Sequence, residues 1–191
     1  MSGTRIRILE ATLTCVEQWG LAKTSLEDVA SAAGLSRATV YRYFPGGRDQ
    51  VISETVTWEV GNFLHRLNEA ALAEHGIEDR IAQALIVGHR AIDDHKLLQQ
   101  ILSTEPEALL AELEKSGPIM LAVIRSSLAE GLAAEPVRAG VDIDEAAEYL
   151  ARLFLSYLGS QGRWDLTDPE TVHRLVRSQF LAGVIEADAT G

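Results

Sequence analysis

The stretch Leu26–Phe44, LEDVASAAGLSRATVYRYF, decides the fold of this chain. Its apolar positions repeat with helical spacing on one face of each of two short predicted helices, Val29, Ala30 and Ala33 on the first and Val40 and Tyr43 on the second. Gly34 lies between them, where a left-handed turn needs a residue without a Cβ atom. The small side chain of Ala30 lets the two helices cross closely, and Leu35 fills the corner. The spacing therefore predicts a helix-turn-helix.

Capping residues predict where the helices around this stretch begin and end. Thr24, with Glu27 three residues later, has the pattern of a capping box that opens the first of the two helices. Ser36 caps the second, and the sequence Pro45-Gly46-Gly47 then breaks the chain. A preceding helix is predicted over about residues 5–19. The motif is thus expected as the last two of three N-terminal helices.

Helical periodicity continues through the rest of the chain, and no alternating strand pattern interrupts it. The further predicted helices cover about residues 48–74, 77–94 and 96–103, one from Pro106, one from Ser116 and Pro118 to about Gly131, and then 142–159 and 168–187. The break near Ser116 rests on Pro118, because proline fits the first turn of a helix. The sequence thus predicts an all-α fold of nine or ten helices.

Composition bounds the class of protein. A chain of 191 residues with 47% apolar side chains can bury a core, which excludes the disordered and fibrous classes. A single cysteine excludes an intramolecular disulfide and fits a reducing compartment. Residues 1–20 contain no apolar segment with a small-residue cleavage site, and no apolar run approaches the ~18 residues of a spanning helix. We therefore predict a cytoplasmic protein with no membrane partner.

The charge is distributed unevenly along the chain, whose formal net charge is −11. The first 50 residues carry six basic and five acidic side chains, which leaves 11 basic and 23 acidic side chains for the rest. This asymmetry suggests two functional parts, a near-neutral N-terminal part and an acidic body. The total charge therefore does not exclude a nucleic-acid partner for the N-terminal part, although phosphate binding depends on cations.

The second helix of the motif presents a polar surface away from its apolar face, formed by Arg37, Ala38, Thr39, Tyr41 and Arg42. Such a surface suits the major groove, where Arg37 is placed to bind guanine and Thr39 a thymine methyl group or a phosphate. We expect Tyr41 and Arg42 to contact phosphates. Hydroxyl groups and helix N-terminal amides for the DNA backbone are offered by Thr24, Ser25 and Ser36. The alternative is a hairpin inside a larger bundle whose arginines are only solvated.

These residues resemble the DNA-binding domain of the TetR family of bacterial regulators, over about Ile8–Ile52. The matching positions are Gly20, Thr24, Ser25, Val29, Ala30, Ala33, Gly34, Leu35, Ser36, Thr39, Val40, Tyr41, Tyr43 and Phe44. Ala38 replaces a common glycine of the family, and Val16 a common phenylalanine. Arg48, displaced by an extra glycine, stands for the family's loop lysine, which contacts a phosphate.

The resemblance implies an N-terminal three-helix helix-turn-helix domain over residues 1–47 and a C-terminal helical ligand-binding and dimerisation domain over residues 48–191. One helix-turn-helix offers little surface for tight binding, so the implied partner is a palindromic double-stranded DNA operator bound by a homodimer. The candidate interface residues lie on the last two predicted helices: Leu150, Leu153, Tyr157, Leu158, Val172, Leu175, Val176, Gln179, Phe180 and Val184. Burial within one subunit is the alternative, and a four-helix bundle satisfies both.

The middle helices are expected to enclose a pocket for a small hydrophobic effector. The candidate lining residues are Trp58, Phe63, Leu67, Leu85, Ile86, His89, Ile101, Leu102, Met120, Ile124 and Phe154. Core packing is the alternative for each of them, because apolar helical stripes are usually core. By family resemblance, a ligand that favours a different tilt of the fourth helix spreads the two recognition helices and weakens DNA binding.

Other chemistry is not indicated, and no catalytic residue, cofactor or metal is predicted. The sequence has no glycine-rich phosphate loop and no Gly-x-Ser-x-Gly motif. His89 and Asp93 favour a polar helix surface over a metal site, which needs three or four ligands. Cys15 favours a core position over a redox sensor. The competing interpretation of the chain is a helical small-molecule carrier or enzyme that keeps the helix-turn-helix as a scaffold.

Overall fold

The computed structural model describes residues 3–160 and 162–186, and these residues form nine α-helices and no β-strand. The helices are α1 (Gly3–Trp19), α2 (Leu26–Ala32), α3 (Arg37–Tyr43), α4 (Gly47–Leu72), α5 (Ile77–Asp93), α6 (Lys96–Thr104), α7 (Pro106–Leu132), α8 (Ile143–Gly159) and α9 (Pro169–Leu175). A π-helical turn, Val176–Leu181, follows α9. The all-α prediction is confirmed. Among the described helices, none combines the length and apolar character needed to cross a membrane.

The described residues divide into two compact units. The first unit contains the residues up to Asn62 together with His95–Gly117, and the second contains Phe63–Asp94 together with the residues from Pro118 onward. Helices α4 and α7 each contribute residues to both units. The predicted boundary between residues 47 and 48 separates two functions, whereas the two units are defined by how compactly their residues pack. The functional boundary stays a prediction.

The first unit is built on the predicted helix-turn-helix. Val29 and Val40 are buried as their spacing predicts, and Leu35 packs against the same core. Gly34 has a φ of 63°, the left-handed conformation that favours glycine at the turn. Cys15 is a buried core residue, and burial raises the pKa of its thiol. These residues therefore form the helix-turn-helix that their local pattern predicts.

The start of α2 differs from the prediction by one residue. The Ser25 hydroxyl accepts a hydrogen bond from the Asp28 N–H at 3.2 Å, and the Asp28 carboxylate accepts one from the Ser25 N–H at 3.1 Å. Thr24 is instead buried, and its hydroxyl donates to the Gly20 carbonyl at 2.7 Å. The predicted box of Thr24 and Glu27 was wrong because an overlapping Ser-x-x-Asp pattern supplies the same chemistry one residue later.

A single helix, α7, replaces two predicted helices. Pro118 lies inside it and removes the N–H that would bond to the Glu114 carbonyl. Buried side chains nevertheless continue on both sides of the proline, with Leu109 and Ser116 before it and Ile124 after it. Their packing offsets the lost hydrogen bond, so the proline does not end the helix.

The last helix is also shorter than predicted. Asp168 caps α9 with Pro169 in its first turn, as expected. Regular α-helix ends at Leu175, and after the π-helical turn the chain leaves the helix. There the Arg138 N–H donates to the Val184 carbonyl at 2.9 Å, so this strand-like pairing takes the place of further helix. The predicted end near Ala187 lies outside the described residues.

Two side chains hold the turn between α1 and α2. Arg48 of α4 donates from Nε to the Thr24 carbonyl at 2.7 Å and from Nη2 to the carbonyls of Leu21 and Ala22. Glu105, just before α7, accepts from the N–H groups of Leu21 at 3.1 Å and Ala22 at 2.7 Å. We call Arg48 and Glu105 the turn clamp. Its members satisfy backbone donors and acceptors of the same turn.

The turn clamp explains the glycine that precedes the turn. Gly20 has a φ of 87°, which L side chains rarely adopt. A Cβ atom there would also meet the Glu105 carboxylate, which would have to shift away from the N–H groups that it binds. The backbone conformation thus favours glycine, and a larger residue would also disturb the turn clamp.

Replacing Glu105 by glutamine should destabilise the protein. The amide keeps one acceptor, but it turns a donor toward the second N–H group, and the loss of this hydrogen bond costs about 1 kcal/mol. We expect E105Q to melt several degrees below the wild type in a thermal denaturation followed by circular dichroism. E114Q, on the exposed side of α7, is the control. Equal melting temperatures for the two variants would show that the clamp adds nothing to stability.

Candidate DNA interface and ligand cavity

Helix α3 carries the candidate DNA-binding surface. Val40 is fully buried and fixes which side of the helix faces the core. The exposed residues on and before the helix are Ser36, Arg37, Ala38, Tyr41 and Arg42, and Thr39 is half-buried. The structure therefore brings six of the nine predicted DNA-binding residues together on one short helix and its N-cap. We call these six residues the α3 face.

Arg37 is held by two neighbours on this surface. Its guanidinium pairs with the Glu27 carboxylate of α2, lies 5.4 Å from the centre of the Tyr41 ring and donates to the Tyr41 hydroxyl at 3.4 Å. The hydrogen bond with Tyr41 and the charge of Glu27 raise the pKa of Arg37. Both members of the ion pair are more than half exposed. Such a pair is weak, so a DNA acceptor can replace the carboxylate.

The other members of the α3 face have partners close in sequence. Ser36 caps α3 and accepts from the Thr39 N–H at 3.1 Å, while the two hydroxyl oxygens lie 2.9 Å apart. The Arg42 guanidinium lies 5.4 Å from the centre of the Tyr43 ring. These contacts orient the polar groups without burying them.

Three predicted DNA-binding side chains lie apart from the α3 face. Thr24 is buried in the α1–α2 turn, Ser25 is used in the α2 capping box, and Arg48 belongs to the turn clamp. The family resemblance predicts that Arg48 takes the place of a lysine that binds phosphate. In the structure its guanidinium is already hydrogen-bonded to three backbone carbonyls. The sequence analysis missed Glu27 as the partner of Arg37 and Glu105 as the partner of the turn. No local pattern signals Glu105, since more than 80 residues separate it from the turn.

The second unit contains an open cavity of about 620 Å³, a volume that includes the part open to solvent. Helices α4, α5, α7 and α8 supply its walls. The apolar lining residues are Leu64, Leu67, Ala71, Leu72, Ile77, Ile81, Ala84, Val123, Ile124, Leu128 and Phe154. The polar lining residues are Asn68, Arg80 and Ser127, and the Ser127 hydroxyl donates to the Asn68 side-chain carbonyl at 3.1 Å.

Only part of the predicted pocket lies at this cavity. Leu67, Ile124 and Phe154 line it. The other predicted residues are placed elsewhere: Trp58 and Ile101 pack in the first unit, Leu102 there is exposed, Leu85 and Ile86 are core residues, and Phe63, Met120 and His89 are half-buried. His89 lies 3.4 Å from the Asp93 carboxylate on its own helix. Helical spacing marked apolar faces correctly but could not separate a cavity wall from packed core.

The predicted dimer residues divide between core and surface in the second unit. Leu150, Val172, Leu175, Val176, Phe180 and Val184 are buried within the subunit. Leu153, Tyr157 and Leu158 are half-buried, and Gln179 is exposed. Tyr149, which the prediction omitted, is 55% exposed and stands four residues before Leu153 on α8. Tyr149, Leu153 and Tyr157 therefore form an accessible stripe at helical spacing.

One cluster among the described residues has the composition of a metal site. Ligand atoms of Glu78, Asp79 and His173 all lie within 4.8 Å of one another. Arg177, however, already binds the Glu78 carboxylate at 2.7 Å, and His173 faces the same oxygen at 3.2 Å. A cation in this position competes with a metal ion. The cluster is best described as an ion-pair network that joins α5 to α9 and the turn after it.

The family of bacterial regulatory proteins named after tetR matches residues 8–55, which include the helix-turn-helix. The HTH-type transcriptional regulator Rv0196 of Mycobacterium tuberculosis is 30% identical, over 97% of this chain and 98% of its own. The match therefore extends well beyond the DNA-binding motif.

Solved structures share the fold. FadR from Bacillus subtilis, in complex with stearoyl-CoA, has a TM-score of 0.58 at 16% identity, covering 91% of this chain and 97% of its own. SmeT, in complex with triclosan, has a TM-score of 0.59 at 21% identity, covering 100% of this chain and 95% of its own. Since the helix-turn-helix and the full-length relative agree, the chain belongs to the TetR family of bacterial transcriptional regulators.

Proposed function

We propose that this protein is a ligand-responsive repressor that binds a palindromic operator as a dimer and is released by a small lipophilic effector. The family consists of DNA-binding regulators, which are not enzymes, and its members generally act as dimers and bind small molecules. The observation that carries the proposal is the α3 face, whose cations and hydroxyl groups are exposed on a helix fixed by its buried side.

The α3 face suggests how DNA is bound. Arg37 exchanges the Glu27 carboxylate for the O6 and N7 atoms of a guanine, a bidentate contact that carries sequence specificity. Tyr41 and Arg42 bind phosphates and set the register of the helix in the groove. Since Glu27 competes for Arg37, binding to unmatched DNA gains little from this arginine.

The cavity supports a lipophilic effector. Its walls are mostly aliphatic, which favours an apolar ligand body over a small polar one. The FadR structure holds stearoyl-CoA and the SmeT structure holds triclosan. We extend this class of ligand, an acyl or aromatic compound, to the present chain.

Two helices connect the cavity with the DNA-binding unit. Helix α4 begins beside Arg48 and supplies the cavity residues Leu64 and Leu67. Helix α7 begins after Glu105 and supplies Val123 and Ile124. A ligand that changes the spacing of α4 and α7 acts on both members of the turn clamp, and through them on α3. A ligand that binds one helix spacing more tightly than the other would in this way couple ligand binding to DNA binding.

The α8 stripe of Tyr149, Leu153 and Tyr157 is the proposed centre of the dimer interface. Tyr157 packs on Phe180, a buried residue of the π-helical turn, with ring centres 5.7 Å apart. This contact holds one end of the stripe against the core of the subunit. Aromatic side chains that are exposed in one subunit are typical of interface positions. Two recognition helices related by the dimer axis would read two half-sites about one helical turn apart.

Removing the specific contacts should abolish operator recognition. The double variant R37A/Y41A loses the guanine contact and a phosphate contact, so we expect its affinity for the operator to fall by about 100-fold or more. The operator is first selected from a random duplex pool, and binding is then measured by fluorescence anisotropy at low salt. R66A, which removes an exposed arginine of the second unit, is the matched control. A wild type without sequence-selective DNA binding would contradict the proposal.

The salt dependence of binding should be modest. Arg5 bonds the Tyr43 carbonyl and the Glu54 carboxylate, Arg48 belongs to the turn clamp, and Arg37 is assigned to a guanine. This leaves Lys23 and Arg42 as the exposed cations of residues 20–44 that can bind phosphates. Four such cations in a dimer give a slope of log K against log salt of about −4. A slope near −7 would instead show that Arg5 and Arg48 leave their partners and bind phosphates.

A further inference from the structure

Arg80 differs from every other arginine described in the second unit. It is half-buried, whereas the remaining eight are exposed: Arg66, Arg90, Arg125, Arg138, Arg152, Arg163, Arg174 and Arg177. No carboxylate of the described residues lies within 4.0 Å of its guanidinium nitrogens. A half-buried guanidinium without a counter-charge is partly desolvated, and an anionic ligand would compensate for this.

The guanidinium of Arg80 is nevertheless held in place. Its Nε donates to the Glu74 carbonyl at 3.2 Å, just after the end of α4. Within the described residues its two terminal NH2 groups have no hydrogen-bond partner. These groups are the fork that binds a carboxylate with two parallel hydrogen bonds. The one bond that is made therefore fixes the side chain and leaves this fork unused.

The surroundings of Arg80 define what can approach it. Among the described residues that line the cavity, Arg80 is the only charged one, and none is acidic. Asn68 adds an amide, whose oxygen is already bonded to the Ser127 hydroxyl and whose NH2 group can still donate. The remaining lining is apolar, with Leu64, Ile81 and Phe154 among its members. The cavity thus combines a hydrocarbon wall with donors and one positive charge.

We infer that Arg80 binds the carboxylate of an amphipathic ligand whose hydrocarbon body occupies the cavity. The inference rests on the proposed function and specifies its effector as a medium-chain or aromatic carboxylic acid. A single arginine neutralises one negative charge, so a carboxylate fits this site better than a phosphate dianion. A cationic ligand is excluded by repulsion, and a neutral one leaves the arginine without its anion.

Three ten-carbon probes test the head-group preference. Decanoate, decanol and decylamine are titrated into the full-length wild type by calorimetry, each below its critical micelle concentration. We expect decanoate to bind about tenfold or more tightly than decanol, as charge-assisted hydrogen bonds require, and decylamine to bind most weakly. Equal affinities for the three probes, or no binding of decanoate, would overturn the inference.

A pair of arginine variants on α5 assigns the preference to Arg80. R80Q should lose the preference for decanoate while its affinity for decanol stays within about twofold of the wild type. R90Q changes an exposed arginine of the same helix and should keep the preference. If R80Q weakens all three probes equally, Arg80 only supports the end of α4, and the inference fails.

Operator binding in the same preparations separates this inference from the proposed function. DNA binding that is selective for the operator, together with equal affinities for the three probes, would leave the repressor and remove the carboxylate site. A preference for decanoate in a protein without selective DNA binding would leave the carboxylate site and remove the repressor. If both hold, decanoate should release the wild type from the operator at lower concentrations than it releases R80Q.

Discussion

The backbone of the α1–α2 turn imposes the constraint on which the rest of the DNA-binding unit depends. Its N–H and carbonyl groups belong to no helix, so side chains or water must bond them. Arg48 takes three of the carbonyls and Glu105 takes two of the N–H groups. The turn, and with it the entry into α2 and α3, is therefore positioned by side chains at the starts of α4 and α7.

Helices α4 and α7 are the elements that the two proposed sites share. The turn clamp lies at one end of α4 and α7, and cavity residues lie on the later parts of the same helices. In our proposal a ligand acts through both helices rather than one, which extends the fourth-helix mechanism that the family resemblance implies.

Individual charged side chains, rather than the net charge of the chain, define the proposed site in each unit. On the α3 face, Glu27 pairs with Arg37, the residue proposed to contact a guanine. At the cavity, Arg80 is the one charged side chain among the described lining residues. The net charge of −11 describes neither site. Each proposed site depends instead on a single arginine, Arg37 on the α3 face and Arg80 at the cavity.

The sequence by itself determined the helix-turn-helix, the all-α class and most helix boundaries, because each depends on residues within one or two turns of one another. The turn at Gly34, the Ser36 cap and the buried Val40 are of this kind. Only the tertiary structure decided that Arg48 and Glu105 hold a distant turn, that α7 continues through Pro118, and which apolar residues line a cavity. Those outcomes depend on partners far apart in the chain, which no local spacing records.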